Sequence, residues 1–505
     1  MQGSGRKIAS NSMYMLLGNF FVIFVTLFTS RIVLAQLGAV DFGIYNAVGG
    51  VVLLFSFIVP TLASSVQRFL NYYLGKQDLE MVSKVFSMSL IIHAIFSAIV
   101  VVLGETLGVW FLNSHMTIPA ERLHAANFVL QCSIFSLVVI LMSIPYNAMI
   151  LANQRMKFYA QTSVITVSIK ILAAVMLMYV SIDKLDVYAI FMLLVIVVAR
   201  LLTAIYCKIQ FKSCKFKLCW EKRLFKELFS FSGWNLYGNV GNMLYSYGIN
   251  VVLNIFCGPI VNAARAISVQ IQHVMDQTSN SFMAAVNPQI IQGYASGNFA
   301  YTELLFFRAT KYTFYLMAAI CIPLLFCMSY VLDLWLVNYP EHTVNFCRLV
   351  AIICWISAFF QPSYTIMQAI GDIKKYQIIQ GTSLVLVMPL AFLFLKFDNP
   401  PEIVFFISIV MIVLAKIAGL FVMQSKMPFL SIKKTIKLLG KNILCTLPSM
   451  GVSYILYSNI DESFVKNGMI AVVSVGLLVL FVFLFDFSKD ELQFLKALLK
   501  RKKRV

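Results

Sequence analysis

Apolar runs dominate this chain, and each is long enough, at roughly 18 residues or more, to cross a bilayer as an α-helix. Within hydrocarbon a spanning segment of this kind must be helical, because only a helix pairs all of its own backbone groups. Of the 505 residues, 60% are hydrophobic and 12% are charged, so the charges are too few to coat several soluble domains. The sequence therefore predicts an all-α, polytopic membrane protein.

The apolar runs and the polar breaks between them predict about fourteen transmembrane helices. The predicted spans 1 to 14 lie near residues 11–36, 43–67, 85–112, 123–151, 158–180, 187–209, 229–257, 266–291, 304–337, 343–370, 376–396, 402–424, 440–459 and 467–487.

Lysines and arginines number 40 against 21 acids, which gives a net charge of +19. If the chain starts inside, the predicted inner segments 6–7, 76, 155–157, 208–226, 374–375, 426–441 and 489–504 hold most of these cations. The predicted outer loops hold only Arg122, Lys184, Arg265, Lys396 and Lys466. This asymmetry predicts an inner (cytoplasmic) membrane protein with both termini in the cytoplasm. Most of the positive charge then sets the topology, so no nucleic-acid partner is expected. The first apolar run is predicted to be a retained span, not a cleaved signal peptide.

An internal repeat connects the two halves of the chain. Residues of predicted span 1 recur 220 positions later: Ser10, Ser12, Leu16, Gly18 and Asn19 match Ser230, Ser232, Leu236, Gly238 and Asn239. A second match has an offset of 217: Pro145, Ala152, Lys157 and Tyr159 match Pro362, Ala369, Lys374 and Tyr376. An even number of spans per copy keeps both copies in the same orientation, as in parallel-repeat transporters.

The predicted domains follow from this repeat. A six-helix N-terminal lobe (1–210) is joined by a basic cytoplasmic linker (211–228) to a pseudo-symmetric six-helix C-terminal lobe (229–424). Residues 425–505 add two transmembrane helices and a basic cytoplasmic tail.

Two local sequence segments, Leu37–Tyr45 and Gln368–Tyr376, resemble the polysaccharide flippases (O-antigen and capsule, Wzx-type) of the MATE-like MOP exporter superfamily. The arrangement of six, six and two predicted helices resembles that family too. The resemblance implies a transporter without cofactors that flips a polyprenyl-diphosphate-linked oligosaccharide from the inner to the outer leaflet by alternating access. The lipid bilayer and polysaccharide-assembly proteins are the implied partners, and cell-surface polysaccharide synthesis is the implied process.

Predicted spans 7 and 8 carry long polar stripes. Residues spaced by three or four positions lie on one face of a helix. Two sets have this spacing: Asn235, Asn239, Asn242, Ser246 and Asn250 in span 7, and Arg265, Ser268, Gln272, Asp276 and Ser279 in span 8. Because unpaired amides are costly in hydrocarbon, these stripes are predicted to line a wet cavity whose amides bind sugar hydroxyls. The alternative is that they hold neighbouring helices together.

Cations at membrane depth are the second group of candidate substrate ligands. Arg31, Lys170, Arg200 and Lys416 lie within predicted spans, and Arg68 and Arg265 lie nearer span ends. A diphosphate attracts such cations, and arginine binds phosphate oxygens in pairs. By resemblance to the flippases, arginines on the first helices of each lobe do this, which singles out Arg31, Arg68 and Arg265. The alternatives are anchoring at the membrane interface and snorkelling.

Two acids within spans are candidates for coupling. Asp276 lies on the polar stripe of span 8, and Glu105 lies late in span 3. Each is predicted to act as a counter-ion for a cavity cation or as the site at which H⁺ or Na⁺ couples to transport. Span 1 has no buried Asp of the kind that many MATE antiporters place there, since Asp41 is in the following loop.

Two other functions are considered. The same fold is compatible with a cation-coupled, MATE-type exporter of drugs or small molecules. A membrane-embedded polymerase or ligase would need a large catalytic outer loop, and the predicted outer loops are short. The sequence shows no P-loop and no nucleophile elbow, and Cys207, Cys214 and Cys219 fit no zinc spacing, so neither an enzyme nor a metal site is expected.

Overall fold

The computed structural model describes residues 2–53, 58–116, 118–217, 220–336, 338–460 and 463–487. These residues form α-helices joined by short turns, with no β-strand among them. The helices are α1 (Gln2–Leu53), α2 (Ile58–Gly75), α3 (Leu79–Leu103), α4 (Val109–His115), α5 (Leu123–Ala152), α6 (Met156–Met176), α7 (Lys184–Gln210), α8 (Lys222–Ala295), α9 (Phe299–Leu336), α10 (Thr343–Ile370), α11 (Lys374–Leu395), α12 (Ile403–Lys426), α13 (Ile432–Asn459) and α14 (Phe464–Phe485).

Each predicted span falls on helical residues. Spans 1 and 2 lie in α1 and α2, although residues 54–57 of span 2 are outside the described residues. Span 3 covers α3 and α4, and spans 4 to 6 are α5 to α7. Spans 7 and 8 share α8, and spans 9 to 14 are α9 to α14. Among the described helices, ten are long and apolar enough to cross a membrane, or eleven if the two parts of α1 count as one span. This number is below fourteen partly because α8 holds two predicted spans. The prediction of an all-α, polytopic membrane protein is confirmed. The predicted basic tail and Cys219 lie outside the described residues.

α1 and α8 each break at one glycine with a positive φ. Gly38 has φ 75° and ψ 170°, and Gly258 has φ 79° and ψ −177°. Only glycine adopts this conformation without strain. The two glycines are 220 residues apart, which is the offset of the sequence repeat. Two further pairs of residues with positive φ keep the repeat offsets of 220 and 217: Gln77 with Gly297, and Gln154 with Gly371. These pairs support a two-copy architecture.

The chain divides into two compact units. The first unit comprises Ala9–Asn239 and Asn287–Asn298; the second comprises Val240–Val286 and the described residues from Phe299 onward, with the residues up to Ile8. In the first unit α5 packs against α2, α3 and α7, and α6 packs against α7. In the second unit α10 packs against α9 and α12, and α11 packs against α12 around an apolar core. The unit boundaries lie within α8, so the start of that helix, through Asn239, and its end from Asn287 both belong to the first unit.

The last two helices, which lie outside the repeat, pack against α9. A buried group of charges, here called the anchor cluster, holds them there. Lys311 of α9 donates to the backbone carbonyl of Asp486 at 2.5 Å and lies 3.5 Å from its carboxylate. Lys441 of α13 pairs with that carboxylate at 2.7 Å, and the Tyr315 hydroxyl donates to it at 3.0 Å. One carboxylate just beyond α14 therefore connects three helices.

A second charge cluster lies in the first unit at the predicted outer end of the helices. Arg122 pairs with Asp41 beyond the Gly38 break and, at 2.5 Å, with Asp183, which also caps α7 by accepting from the Leu185 amide at 2.9 Å. Partial burial raises the pKa of Asp183, but the hydrogen bonds from Arg122 and the Leu185 amide outweigh it, so the net pKa is below 3.8.

This lowered pKa predicts an acid-labile contribution to stability. A carboxylate whose pKa is lower in the folded chain stabilises the fold at pH values above its unfolded pKa, and the contribution is lost as pH falls through the folded value. We expect Asp183→Asn to lower the thermal midpoint at neutral pH, and the difference from wild type to shrink as pH falls through and below 3.8. Thermal unfolding in detergent across this pH range measures the difference between the two midpoints. A difference that stays constant with pH contradicts a stabilising role for the Asp183 carboxylate.

Candidate functional site

The second unit contains an internal polar cavity, here called the second-unit cavity. Its volume is about 190 Å³, and α8, α10, α11 and α12 form its walls. Its polar lining is Asn242, Tyr245, Gln272, Asp276, Cys354, Ser357, Gln380, Ser383 and Lys416. A cavity of this size with several convergent polar groups is large enough to hold water or a small polar group.

Three residues predicted from the polar stripes of spans 7 and 8 meet in this cavity. Asn242 and Gln272 line it from the two parts of α8 on either side of the Gly258 break. Asp276 lies one turn beyond Gln272 and lines the same cavity, as does Cys354 of α10. The break at Gly258 turns the chain back, so residues on either side of it can face the same space.

Lys416 enters the same cavity from α12. In the part of the chain that the structure describes, no carboxylate lies within ion-pair distance of its ammonium, and no hydrogen-bond acceptor is assigned to it. An ammonium in an apolar bundle is costly unless something solvates or pairs with it. The cavity therefore has a cationic wall that is open to an anionic or polar ligand.

α10 and α11 contribute cavity residues that the sequence analysis missed. Ser357 lies three residues after Cys354 on α10, and Ser383 lies three residues after Gln380 on α11. The Gln380 amide also donates to the Ala415 carbonyl at 2.7 Å, beside Lys416. Polar pairs at this spacing in apolar helices were the available signal, since they place two polar groups on one face.

Asn235 and Asn239 do not line the second-unit cavity. They belong to the first unit, where Asn235 donates to the Ser64 hydroxyl at 3.1 Å and Asn239 to the Thr61 hydroxyl at 2.7 Å, both on α2. For these two residues the helix-to-helix alternative describes the observed contacts. Asn250 is partly buried further along α8, and within the described chain its side-chain oxygen has no hydrogen-bond partner.

Arg265 lies inside the second unit. Its side chain is 1% exposed, donates to the Ser268 hydroxyl at 3.2 Å and lies 5.4 Å from the centre of the Phe405 ring. Its Nε has no hydrogen-bond partner among the described residues. Arg265 does not line the second-unit cavity, and its burial differs from what an anchor at the membrane surface would show.

The cations predicted in the first unit occupy separate environments. Arg31 is exposed on α1. Arg68 is buried among aromatic rings, 4.4 Å from the centre of the Phe69 ring and 5.6 Å from that of Phe231. Arg200 of α7 lies 3.6 Å from the centre of the Tyr146 ring, and Lys170 of α6 is partly buried with no ion-pair partner among the described residues. The structure does not gather these four cations into one site.

Glu105 does not line the second-unit cavity. It lies in the π-helical turn Gly104–Gly108 of the first unit and accepts a hydrogen bond from Gln131 of α5 at 3.0 Å. Such turns often occur where a helix serves a function. Here the turn presents an exposed carboxylate to a neighbouring amide.

A group of side-chain amides that the sequence analysis did not single out joins the ends of α2, α5 and α8 within the first unit. This amide cluster consists of Asn71, Gln154, Gln289 and Gln292. Gln292 donates to the Ala152 carbonyl at 2.8 Å and to Asn71 at 3.4 Å, and it accepts from Gln154 at 3.3 Å. The neighbouring basic residues Lys76 and Arg155 place this cluster at the predicted cytoplasmic end.

Solved structures share this fold. A multidrug resistance MATE family transporter of the MOP superfamily, in an outward-facing conformation, matches with a TM-score of 0.72 and 15% identity, covering 85% of this chain and 96% of that chain. A MATE structure in a bent conformation matches with a TM-score of 0.74 and 16% identity over 86% and 97%. A MOP superfamily transporter from Pyrococcus furiosus matches with a TM-score of 0.72 and 15% identity over 85% and 96%.

No protein-family model and no curated protein sequence matches the chain. The likeness extends over almost the whole of each solved chain. At this level of identity the likeness concerns the arrangement of helices. The chain therefore has the fold of the MATE and other MOP superfamily transporters.

Proposed function

We propose that this protein is a membrane transporter that flips a polyprenyl-diphosphate-linked oligosaccharide from the inner to the outer leaflet by alternating access. The transporter class is supported by the MATE fold and by the ten or eleven candidate spans of the described chain. The choice of substrate depends on the chemistry of the second-unit cavity.

The observation that carries the proposal is Lys416, which shares its cavity with several neutral hydrogen-bonding groups and with one carboxylate, that of Asp276. Asn242, Gln272, Gln380 and two serines offer both donors and acceptors, which suit sugar hydroxyls. The ammonium of Lys416 suits a phosphate or another acidic group on the same substrate. A cationic group would meet repulsion at Lys416, whereas a phosphate or a sugar hydroxyl of a larger substrate would find both a charge and hydrogen-bonding partners there.

The MOP fold accommodates different pocket chemistries. The Pyrococcus furiosus transporter is described as having a reverse polarity of its binding pocket that suggests a different function. That description supports the view that pocket charge, more than helix arrangement, separates functions on this fold.

The second candidate function is a cation-coupled MATE-type exporter of small molecules. Asp276 is the observation that favours it, because a carboxylate in a partly buried cavity can take up H⁺ or Na⁺. In our proposal Asp276 instead acts mainly as a counter-ion within the cavity that also holds Lys416.

Reconstitution into proteoliposomes tests the proposal. We expect wild type to translocate a polyprenyl-diphosphate oligosaccharide, and Lys416→Gln to reduce the rate about tenfold or more, because a charge-assisted contact contributes about 1.5–3 kcal/mol. Lys396→Gln, at an exposed lysine that follows α11, is the matched control and should leave the rate unchanged. No translocation by wild type, or equal rates for both variants, contradicts the proposal.

The same assay separates the two roles of Asp276. If Asp276 is a counter-ion, Asp276→Asn lowers the rate equally with and without an imposed H⁺ or Na⁺ gradient. A variant that loses only the gradient-driven part of transport supports the exporter-like coupling role.

A further inference from the structure

The first unit has an apolar groove on its surface that the proposed function does not use. This first-unit groove has a volume of about 680 Å³ and runs between α1 and α6, with Leu202 of α7 at its edge. Its apolar walls include Leu17, Phe21 and Ile165, which are 60%, 42% and 46% exposed. At one end lie the polar groups of Lys157, Gln161 and Tyr14.

α1 and α6 touch within the groove, about one turn beyond its polar end. A Cβ atom added to Gly18 would lie 3.2 Å from the Cβ of Ala160, so the two helices are in close contact at these small residues. About one turn further along, Phe21 and Val164 carry larger side chains, and both line the groove. Bulky residues beyond a close crossing leave a cleft between the two helices.

The second copy of the repeat is closed at the position equivalent to Phe21 and Val164. With the repeat offsets of 220 and 217, Phe21 corresponds to Gly241 and Val164 to Gly381. A Cβ atom on Gly241 would lie 2.8 Å from the Cα of Gly381, so the equivalent helices are in backbone contact there. The opening between Phe21 and Val164 therefore depends on the side chains of the first copy, since the equivalent glycines bring the two helices together.

The charge at the end of the groove indicates what covers it. Lys157 is exposed in the first turn of α6 and forms no ion pair or hydrogen bond with another residue of the described chain. Positive-inside topology predicts that this end faces the cytoplasm. A ligand that matches the groove has a long apolar chain and a phosphate at the cytoplasmic end, with Lys157 and the Tyr14 hydroxyl as donors.

We propose that the first-unit groove binds the polyprenyl chain of a diphosphate lipid, with the diphosphate at Lys157, and so takes up the transported lipid from the inner leaflet. This rests on the proposed function for the identity of the lipid. The sugar portion would then contact other surfaces of the protein, while the polyprenyl chain stays in contact with the bilayer.

Photolabelling tests the site directly. The probe is farnesyl diphosphate carrying a diazirine, added to the detergent-purified full-length protein. We expect crosslinks in residues 14–21 and 157–165, and an apparent affinity about tenfold lower in Lys157→Gln. Ile165→Trp, at an exposed wall position, should reduce labelling by filling the groove. Lys375→Gln, in the corresponding segment of the second copy, is the matched control and should label like wild type.

Competition identifies the ligand class. Unlabelled farnesyl diphosphate should displace the probe, whereas phosphatidylglycerol and pyrophosphate should not at equal concentration. Displacement by phosphatidylglycerol as efficiently as by farnesyl diphosphate assigns the groove to ordinary bilayer lipid and overturns the proposal. Displacement by pyrophosphate alone shows that the apolar walls contribute nothing, which also overturns it.

Flipping assays keep this proposal separate from the proposed function. If wild type flips the lipid-linked oligosaccharide and Ile165→Trp flips it at the same rate, the groove proposal fails and the flippase proposal stands. If wild type binds the probe in the groove but flips no lipid-linked oligosaccharide, the flippase proposal fails and the lipid-binding groove stands.

Discussion

Replacing Asp486 by Ala is expected to lower the free energy of unfolding by about 3–5 kcal/mol. The side chains of Asp486 and Lys311 are only 4% and 8% exposed, and the change leaves Lys311 buried without the carboxylate that pairs with it. Tyr315 also loses its hydrogen-bond acceptor. Because α13 and α14 lie outside the repeat and pack against α9, we expect them to detach first. Equilibrium unfolding in mixed micelles measures the loss.

Two further variants test the cause of that loss. Asp372→Asn removes a surface carboxylate that pairs with Lys426 at 2.6 Å, and as the control it should change stability by no more than about 1 kcal/mol. Adding Lys311→Met to Asp486→Ala should restore much of the lost stability, because the unpaired buried charge is gone. Equal losses for Asp486→Ala and Asp372→Asn would show that the anchor cluster contributes nothing special.

Gly75→Val is expected to separate the ends of α2 and α8. A Cβ atom at Gly75 would lie 2.6 Å from the carbonyl oxygen of Gln292 and 2.7 Å from its Cα, so backbone has to move. Overpacking of this kind costs about 1–3 kcal/mol, and more where the backbone is fixed. The amide cluster around Gln292 should therefore open. Hydrogen–deuterium exchange should increase in residues 58–75 and 287–295.

The control for this prediction is a glycine on the same helix as Gln292. Gly233 of α8 is exposed and has no atom near an added Cβ, so Gly233→Ala should leave exchange unchanged or slightly slower because alanine favours helix. Unchanged exchange in Gly75→Val would mean that the contact at Gln292 is not tight in the membrane.

Much of the helical framework could be predicted from the sequence. Apolar runs identify helices in membranes because hydrocarbon leaves the backbone no other partner, and within the described part of the chain each predicted span falls on helical residues. The repeat was visible in Gly18 and Gly238, and the positive φ of Gly38 and Gly258 at the same offset agrees with it. The bend at these glycines was not predicted, because a glycine in a sequence does not show its φ.

The candidate site was predicted in part. Asn242, Gln272, Asp276 and Lys416 were selected as costly polar groups in apolar helices, and the structure brings them to one cavity. Asn235 lies on the same helical stripe as Asn242, yet its 1% exposed side chain bonds to Ser64 of α2. Helical spacing places two residues on one face, but the neighbouring helix changes along that face.

By itself, the sequence determined that the chain is an all-α membrane protein with two related halves, because hydropathy and repeated residues can both be read along the linear chain. Only the tertiary structure decided which polar groups meet. Lys416 and Asp276 are 140 residues apart, and the anchor cluster joins Lys311 to Asp486 across 175 residues. It also decided that Phe21 borders an open groove while Gly241, its equivalent in the second copy, is in backbone contact with Gly381. Such contacts depend on side-chain volume where two helices cross, and that crossing is set by packing of the whole unit.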